Sequence, residues 1–252
     1  MSRGVDLSGQ VALVTGATSG LGRRFAQVLA AAGAATVITG RRFERLGELA
    51  DEIGAAGGTA LPLQLDVTDA EEITDVVERA GTELGPVTVL VNNAGIPDAQ
   101  RATKMPLELV DAVFDTNLRG PWLLSTEVAR RLIAERLPGR MINISSMGAF
   151  HYANTGAALY SVTKAAIVRM TEALAVEWAR FGINVNCIAP GAFESEMMDG
   201  MLERMGDFRG SFPRQRLCVP EQLDRTLLYL ASFENDVITG TVIKADDGQG
   251  SR

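Results

Sequence analysis

The sequence predicts an α/β fold, a single doubly wound domain with a parallel seven-stranded sheet and helices on both faces. Three observations predict it. Short apolar runs alternate with longer stretches of helical period along all 252 residues. Strands buried on both faces read as such unbroken runs, and helices between them as amphipathic stripes. A glycine-rich turn separates the first apolar run from the first helical stretch, the tight turn that begins a βα unit. The composition, 46% hydrophobic and 22% charged, is that of a globular chain and not of a disordered one.

The elements follow in order. Residues 11–15 read as the first strand, and Leu21, Phe25, Val28, Leu29 and Ala32 as the buried stripe of the first helix, stopped by Gly33. A second strand falls at 36–39; Leu46, Leu49, Ala50 and Ile53 mark the next helix, which the pair Gly57-Gly58 closes. A third strand at 60–65 is followed by the stripe Ile73, Val76, Val77, Ala80 and Leu84, and then by a strand at 87–91. Helices are expected at 106–117 and 118–136, a strand at 140–145, a long helix at 158–181 and a strand at 183–189. The span 193–217, rich in Met, Gly and Arg, reads as irregular; a helix near 221–231 and a last strand at 237–243 complete the chain. No linker or repeat divides it, so 1–252 is expected to form one domain, with an N-terminal half at about 7–145 and a C-terminal part at about 146–252.

Charge and composition exclude several functions. A net charge of -7 argues against nucleic acid as partner, which calls for a basic face. Cys187 and Cys218 stand in no metal or redox spacing, and the single His151 cannot build a histidine metal site, so no metal is expected. The first ten residues lack the apolar stretch of a secretory signal, and the charge-free run at 28–40 is too short to cross a bilayer. The expectation is a cytoplasmic protein without a membrane partner.

Thr15-Gly-Ala-Thr-Ser-Gly-Leu-Gly22 carries the first chemistry. Glycines at 16, 20 and 22 let the backbone turn sharply and approach a pyrophosphate, and the helix beyond them offers free N–H groups and a positive dipole. The end of the second strand distinguishes the dinucleotides. An acidic residue there would bond the adenosine ribose and favour NAD(H), but this chain has Gly40-Arg41-Arg42. A guanidinium suits the 2′-phosphate of NADP(H), with Arg41 as its ligand, so NADP(H) is favoured over NAD(H); a pair of solvated arginines is the alternative.

Tyr160-Ser-Val-Thr-Lys164 sets a phenol and an ammonium on one face of the long helix, in a chain with only three lysines, Lys104, Lys164 and Lys244. Free tyrosine, with a pKa near 10, moves protons poorly at neutral pH; a neighbouring cation stabilises its phenolate and makes it a usable acid or base.

Taken together, Thr15-Gly-Ala-Thr-Ser-Gly-Leu-Gly22, Asn92-Asn-Ala-Gly95 and Tyr160-Ser-Val-Thr-Lys164 resemble the short-chain dehydrogenase/reductase family, over about residues 7–250. Asp66-Val67, Asn117, Ile142-Asn-Ile-Ser-Ser146, Pro190-Gly191 and Ile238-Thr-Gly240 agree. The resemblance implies a Rossmann-like domain and hydride transfer between a nicotinamide and a ketone or secondary alcohol. It implies that Tyr160 exchanges the proton, Lys164 lowers its pKa and bonds the nicotinamide ribose, Ser146 holds the substrate oxygen and Asn117 positions a water of a proton relay. It further implies that Gly16, Ser19, Gly20, Leu21 and Gly22 line the pyrophosphate. Asp66 and Val67 would flank adenine, Asn93, Ala94 and Gly95 the ribose, and Gly191, Phe193 and Ser195 the carboxamide. A homotetramer is implied as well, through the helices at 106–136 and 158–181 and the last strand.

The chain departs from the family pattern in places. Ser146 precedes Tyr160 by 14 positions, one more than expected, which leaves Ser145 as a rival. Ser195 stands where threonine is common, the glycine loop lacks a basic residue, and Asp246-Asp-Gly248 replaces Asp-Gly-Gly. Met147 and His151, with Phe150 and Tyr152, suggest a partly apolar substrate pocket, although His151 also reads as an ordinary loop residue. Asp98, Gln100 and Arg101 read as solvated loop residues, with the mouth of the pocket as the alternative. Met197, Met198, Met201 and Met205 recur at helical spacing, as a mobile apolar lid or a docked core helix. The leading expectation is an NADP(H)-preferring oxidoreductase acting on a small carbonyl or alcohol of moderate apolarity. The alternatives are an NAD(H)-dependent alcohol dehydrogenase and a nucleotide-binding regulator without catalysis.

Overall fold

A computed structural model describes residues 4–152 and 156–250. The chain alternates β1 (Val11–Val14), α1 (Gly20–Ala31), β2 (Ala35–Gly40), α2 (Phe43–Ala55), β3 (Thr59–Gln64), α3 (Ala70–Glu83) and β4 (Val87–Asn92). It continues through α4 (Leu107–Phe114), a π turn (Asp115–Arg119), α5 (Gly120–Glu135), β5 (Gly139–Ile144), α6 (Ala158–Trp178), β6 (Ile183–Pro190), α7 (Glu196–Met205), α8 (Asp224–Ala231) and β7 (Val242–Ala245). The seven strands form one sheet in the order β3-β2-β1-β4-β5-β6-β7, every pair parallel. The order reverses between β1 and β4, and the crevice beyond their carboxyl ends is where doubly wound sheets bind ligands.

Both faces of the sheet are buried, because each strand sends alternate residues into two cores. Along β1, Ala12 and Val14 join Phe25 and Leu29 of α1, Leu46 and Leu49 of α2, and Leu227 and Leu230 of α8. Val11 and Leu13 join Ile73 and Val76 of α3, Leu124 and Val128 of α5, and Ile167 and Leu174 of α6. Phe25, Leu29, Leu46, Leu49, Leu124 and Leu227 are fully enclosed; truncating such a leucine to alanine costs about 2–5 kcal/mol.

Four expectations are corrected. The helices at 106–117 and 118–136 form one rod whose only irregularity is the π turn. The span 193–217 contains α7, and no residue of α7 is buried, so the methionine stripe is not a docked core helix. The helix at 221–231 begins as a 3-10 turn, Pro220–Leu223. The last strand starts at Val242 and not at 237. There Gly240 adopts a positive φ of 73°, and Asn184 and Asn186 of β6 donate side-chain hydrogen bonds to the carbonyls of Asp236 and Ile238. These contacts hold the segment off the ladder until Cys187 pairs with Val242.

Candidate active site

The glycine loop leaves β1 and enters α1 through backbone shapes that only glycine adopts freely. Gly16 and Gly20 have φ of 65° and 51°. A Cβ on Gly22 would lie 2.3 Å from the Gly16 carbonyl oxygen and 2.4 Å from Asn93 Nδ2, so the helix start packs directly on the turn. Ser19 caps α1 without a side-chain hydrogen bond, and no acidic residue stands in the first turn. The first N–H groups and the positive dipole of α1 therefore have no acidic side chain of their own first turn against them, an arrangement suited to a pyrophosphate.

Residues 92–98 brace this loop from the other side. Asn93 Nδ2 donates to the Thr15 carbonyl at 2.9 Å, and the backbone N–H groups of Asn93 and Ala94 donate to Thr15 Oγ1, both at 3.0 Å. Gly95 keeps space open beside two side chains: its Cβ would lie 3.3 Å from Asn117 Oδ1 and 3.4 Å from Lys164 Nζ. Asn117, on the π turn and fully buried, accepts from the Ile96 N–H at 2.8 Å and donates to the Ile96 carbonyl at 2.9 Å and to Thr163 Oγ1 at 3.3 Å. Its side chain is thus a brace for the chain leaving β4, a geometry that the sequence pattern did not reveal. Asp66 accepts from the N–H and hydroxyl of Thr68, and Val67 is buried against Gly120.

Tyr160 and Lys164 share the inner face of α6, with Lys164 Nζ 5.6 Å from the centre of the Tyr160 ring. Burial raises the Tyr160 pKa above 10, opposed by a hydrogen bond with Ser146 and reinforced by the negative charge of Asp98. Burial lowers the Lys164 pKa to about 8, and its ammonium donates to the Ile144 carbonyl at 2.9 Å. The two serines at the end of β5 have different work. Ser145 is buried and donates to the Lys164 carbonyl at 2.7 Å, whereas Ser146 accepts from Gly148 N–H at 3.0 Å and reaches the Tyr160 hydroxyl. The chain between Ser146 and Tyr160, where the extra residue falls, passes through 153–155, outside the described residues.

Asp98 corrects an expectation. It is 2% exposed, not solvated, and its Oδ2 accepts from the N–H groups of Leu159 and Tyr160 at 2.8 and 3.1 Å. It caps α6 from 61 residues away, in place of Ala157, whose side chain makes no capping bond. Gln100 is exposed as expected and forms an isolated bridge with Ala157.

Just after β6, a Cβ on Gly191 would lie 2.8 Å from Asp246 Cα and 2.4 Å from Gln249 Oε1, so the backbone there leaves no room for a side chain. Phe193 is buried in the core, so only its backbone faces the crevice region. Ser195 caps α7 by accepting from Met198 N–H at 3.2 Å and lies close enough that a Cβ on Gly20 would be 3.2 Å from Ser195 Cβ. Leu21 is partly buried behind the loop. Met147 is half-buried on a 3-10 turn, Met147–Ala149, and His151 is exposed.

Arg41, expected to meet a phosphate, is exposed, and its side chain makes no hydrogen bond or ion pair among the described residues. Arg42 is the residue that lies over the glycine loop. Its guanidinium donates to Thr18 Oγ1 at 2.7 Å and to Ser19 Oγ at 3.1 Å. Gly40 makes room for this, because a Cβ there would lie 2.8 Å from Thr18 Cγ2. The residues present therefore fit a dinucleotide: two arginines after β2, a helix N-terminus over a glycine cradle, and a neighbouring phenol and ammonium on α6.

Comparison with known proteins agrees. The family model described as short chain dehydrogenase matches residues 10–205. The 3-oxoacyl-(acyl-carrier-protein) reductase of Thermotoga maritima is 36% identical over 243 residues, spanning 96% of this chain and 98% of that protein. A solved short-chain type dehydrogenase/reductase from Mycobacterium marinum matches with a TM-score of 0.93 and 36% identity, over 97% of this chain and 96% of that one. An actinorhodin polyketide ketoreductase variant solved with NADPH matches with a TM-score of 0.92 and 32% identity, over 96% of this chain and 98% of that one. The chain belongs to the short-chain dehydrogenase/reductase family and is an NAD(P)-dependent oxidoreductase acting on CH–OH and C=O groups.

Proposed function

We propose that the protein is an NADP(H)-preferring reductase of a ketone of moderate apolarity. The observation that carries the reading is Arg42, whose guanidinium lies on Thr18 and Ser19 at the end of β2, where Gly40 leaves no carboxylate to bond a ribose. A planar guanidinium matches a phosphate, and exposed Arg41 stands beside it as a second cation. Names of relatives lend support: one similar structure is a ketoreductase solved with NADPH.

The nicotinamide, when bound, supplies the hydride for the carbonyl carbon. Ser146 donates a hydrogen bond to the substrate oxygen and orients it towards Tyr160. Tyr160 gives its hydroxyl proton to that oxygen as the alcohol forms, and Lys164 stabilises the phenolate left behind. Burial keeps Tyr160 protonated, which suits a proton donor and therefore the direction of reduction. Met147, with Phe150 and Tyr152 after it, offers an apolar wall to the substrate, and the half-exposed methionines of α7 offer a second one. A homotetramer is supported by apolar side chains left in solvent on α4, α5 and α6: Phe114, Trp122, Val162 and Val176.

Parallel titration with NADPH and NADH tests the reading. NADPH binds more tightly, and Arg42→Ala removes the difference while leaving NADH affinity in place. Equal affinities in the wild type would overturn it. Tyr160→Phe loses roughly 10²–10⁴-fold in kcat, the usual worth of a general acid, without losing cofactor binding.

A further inference from the structure

The adenosine end of the crevice holds an anion position that the protein itself fills. Glu196, the first residue of α7, sends its carboxylate back across the glycine loop. Arg42 Nη1 donates to it, with 3.2 Å to Oε1 and 3.0 Å to Oε2. Arg45, one turn further along α2, donates to the same Oε1, and the Ser19 hydroxyl is a third partner. The remaining donors of Arg42 go to Thr18 and Ser19. The Glu196 pKa lies below the usual carboxylate value, chiefly because of Arg45 and then Arg42 and Ser19, so the group is an anion throughout the neutral range.

Two guanidiniums and a hydroxyl therefore converge on one carboxylate that arrives from 154 residues away in sequence. A single negative charge leaves this pair of arginines under-neutralised, whereas a phosphate monoester carries about −1.5 to −2 and three acceptor oxygens. Arg42, Arg45 and Glu196 are each about half exposed, at 43%, 44% and 51%. Ion pairs this exposed are individually weak and screened by salt, so a phosphate of higher charge can take their place.

We propose that Glu196 is a specificity-determining residue, an internal anion that competes with the 2′-phosphate of NADP(H) for Arg42 and Arg45. The proposal rests on the NADP(H) reading above. It assigns Glu196 the opposite effect from Arg42: the arginine draws the phosphate in, and the glutamate reduces the advantage. It also makes the first turn of α7 responsive to the cofactor, since binding of the phosphate frees Glu196 from its partners while NAD(H) leaves them paired.

The test uses 2′,5′-ADP (adenosine 2′,5′-bisphosphate) and 5′-AMP, which differ only in the contested phosphate, titrated calorimetrically into the wild type and Glu196→Gln at low and high salt. Glutamine keeps the shape and removes the charge. The expected result is a roughly two- to tenfold gain in 2′,5′-ADP affinity in the variant, shrinking at high salt as exposed pairs do, with 5′-AMP unchanged. Unchanged or weakened 2′,5′-ADP binding overturns the competition; the NADP(H) reading survives that result if the wild type still prefers 2′,5′-ADP to 5′-AMP. If neither protein distinguishes the two nucleotides, both the reading and the competition are wrong.

Discussion

Replacing Asp98 by alanine tests whether α6, which carries Tyr160 and Lys164, is held from outside its own sequence. Helix α6 begins without a capping side chain of its own, and the Asp98 carboxylate, 2% exposed, takes over two of its first N–H groups at 2.8 and 3.1 Å. A third bond, from Ala99 N–H at 2.8 Å, fixes the carboxylate. An N-cap is worth about 1 kcal/mol and up to about 2. Hydrogen bonds to a charged acceptor contribute about 1.5–3 kcal/mol, and a partly buried anion at a helix N-terminus adds up to about 2. These are overlapping views of the same contacts, so Asp98→Ala should destabilise by about 2–4 kcal/mol and Asp98→Asn, which keeps one acceptor, by about half as much. For a chain of this size the alanine variant loses roughly 5–12 °C in Tm, measurable by urea and thermal denaturation. The cap also has a chemical signature. The Asp98 charge raises the Tyr160 pKa, so Asp98→Asn should let Tyr160 ionise at lower pH, read from phenolate absorbance difference against a Tyr160→Phe control. If Asp98→Ala unfolds within 0.5 kcal/mol of the wild type and the hydrogen exchange at Leu159 and Tyr160 is unchanged, α6 is not capped in this way.

Other perturbations separate groups that the sequence alone left together. Gly22→Ala forces a Cβ to within 2.3 Å of the Gly16 carbonyl and should abolish dinucleotide binding, whereas Gly47→Ala on α2, with nothing within 4 Å, should stabilise by about 0.5–1 kcal/mol; calorimetry on both variants checks the contrast. Ser145→Ala breaks a buried bond to the Lys164 carbonyl and should cost about 1 kcal/mol of stability, while Ser146→Ala should leave the Tm nearly untouched and lower kcat/KM for the carbonyl substrate. Lys164 titrates near 8, so its positive charge is present below that pH and lost as pH rises through it. Carbonyl reduction should therefore be level in the acid range and decline above about pH 8, and a rate that stays level two units higher would remove Lys164 from the proton step.

The strands were legible because both faces of the sheet are covered, which turns them into mainly apolar runs such as Val11 to Val14. The last one misled for a physical reason: Val237 and Ile238 are apolar, but Val237 is 82% exposed, and the carbonyls of Asp236 and Ile238 are taken by side chains of β6 and not by its backbone. The π turn left no trace, since apolar residues continue at helical intervals on both sides of Asn117. Helix α7 was announced by the spacing of its methionines yet lacks the buried stripe that identifies a helix with assurance. In the site, motif residues were readable because glycine and a Tyr–Lys pair have local reasons for their spacing. Asp98 and Glu196 had none. Each acts on a segment more than 60 residues away, and nothing beside them in sequence reveals the partner. Arg42 in place of Arg41 is the same problem at shorter range: the turn into α2, with Arg42 at its cap, decides which neighbour points at the glycine loop.

The long-range contacts share one anchor. The stretch 92–98 leaving β4 holds the glycine loop through Asn93 and Thr15, receives the π turn through Asn117 and Ile96, and caps α6 through Asp98. Each contact joins it to a different element, so the phosphate cradle and the Tyr160 hydroxyl are positioned against the same few residues. Val113, Asn117, Pro121 and Leu124, all buried, follow one another at intervals of four, four and three along the inner face of the α4–α5 rod. Gly120 passes so close to the turn after β3 that a Cβ would lie 2.6 Å from the Val67 carbonyl, which ties that turn to the same rod. A hydride transfer demands near-contact between two bound molecules and an acid. Here the groups that would bind each of them are held in register by cross-braces between loops and not by the rigidity of any one loop.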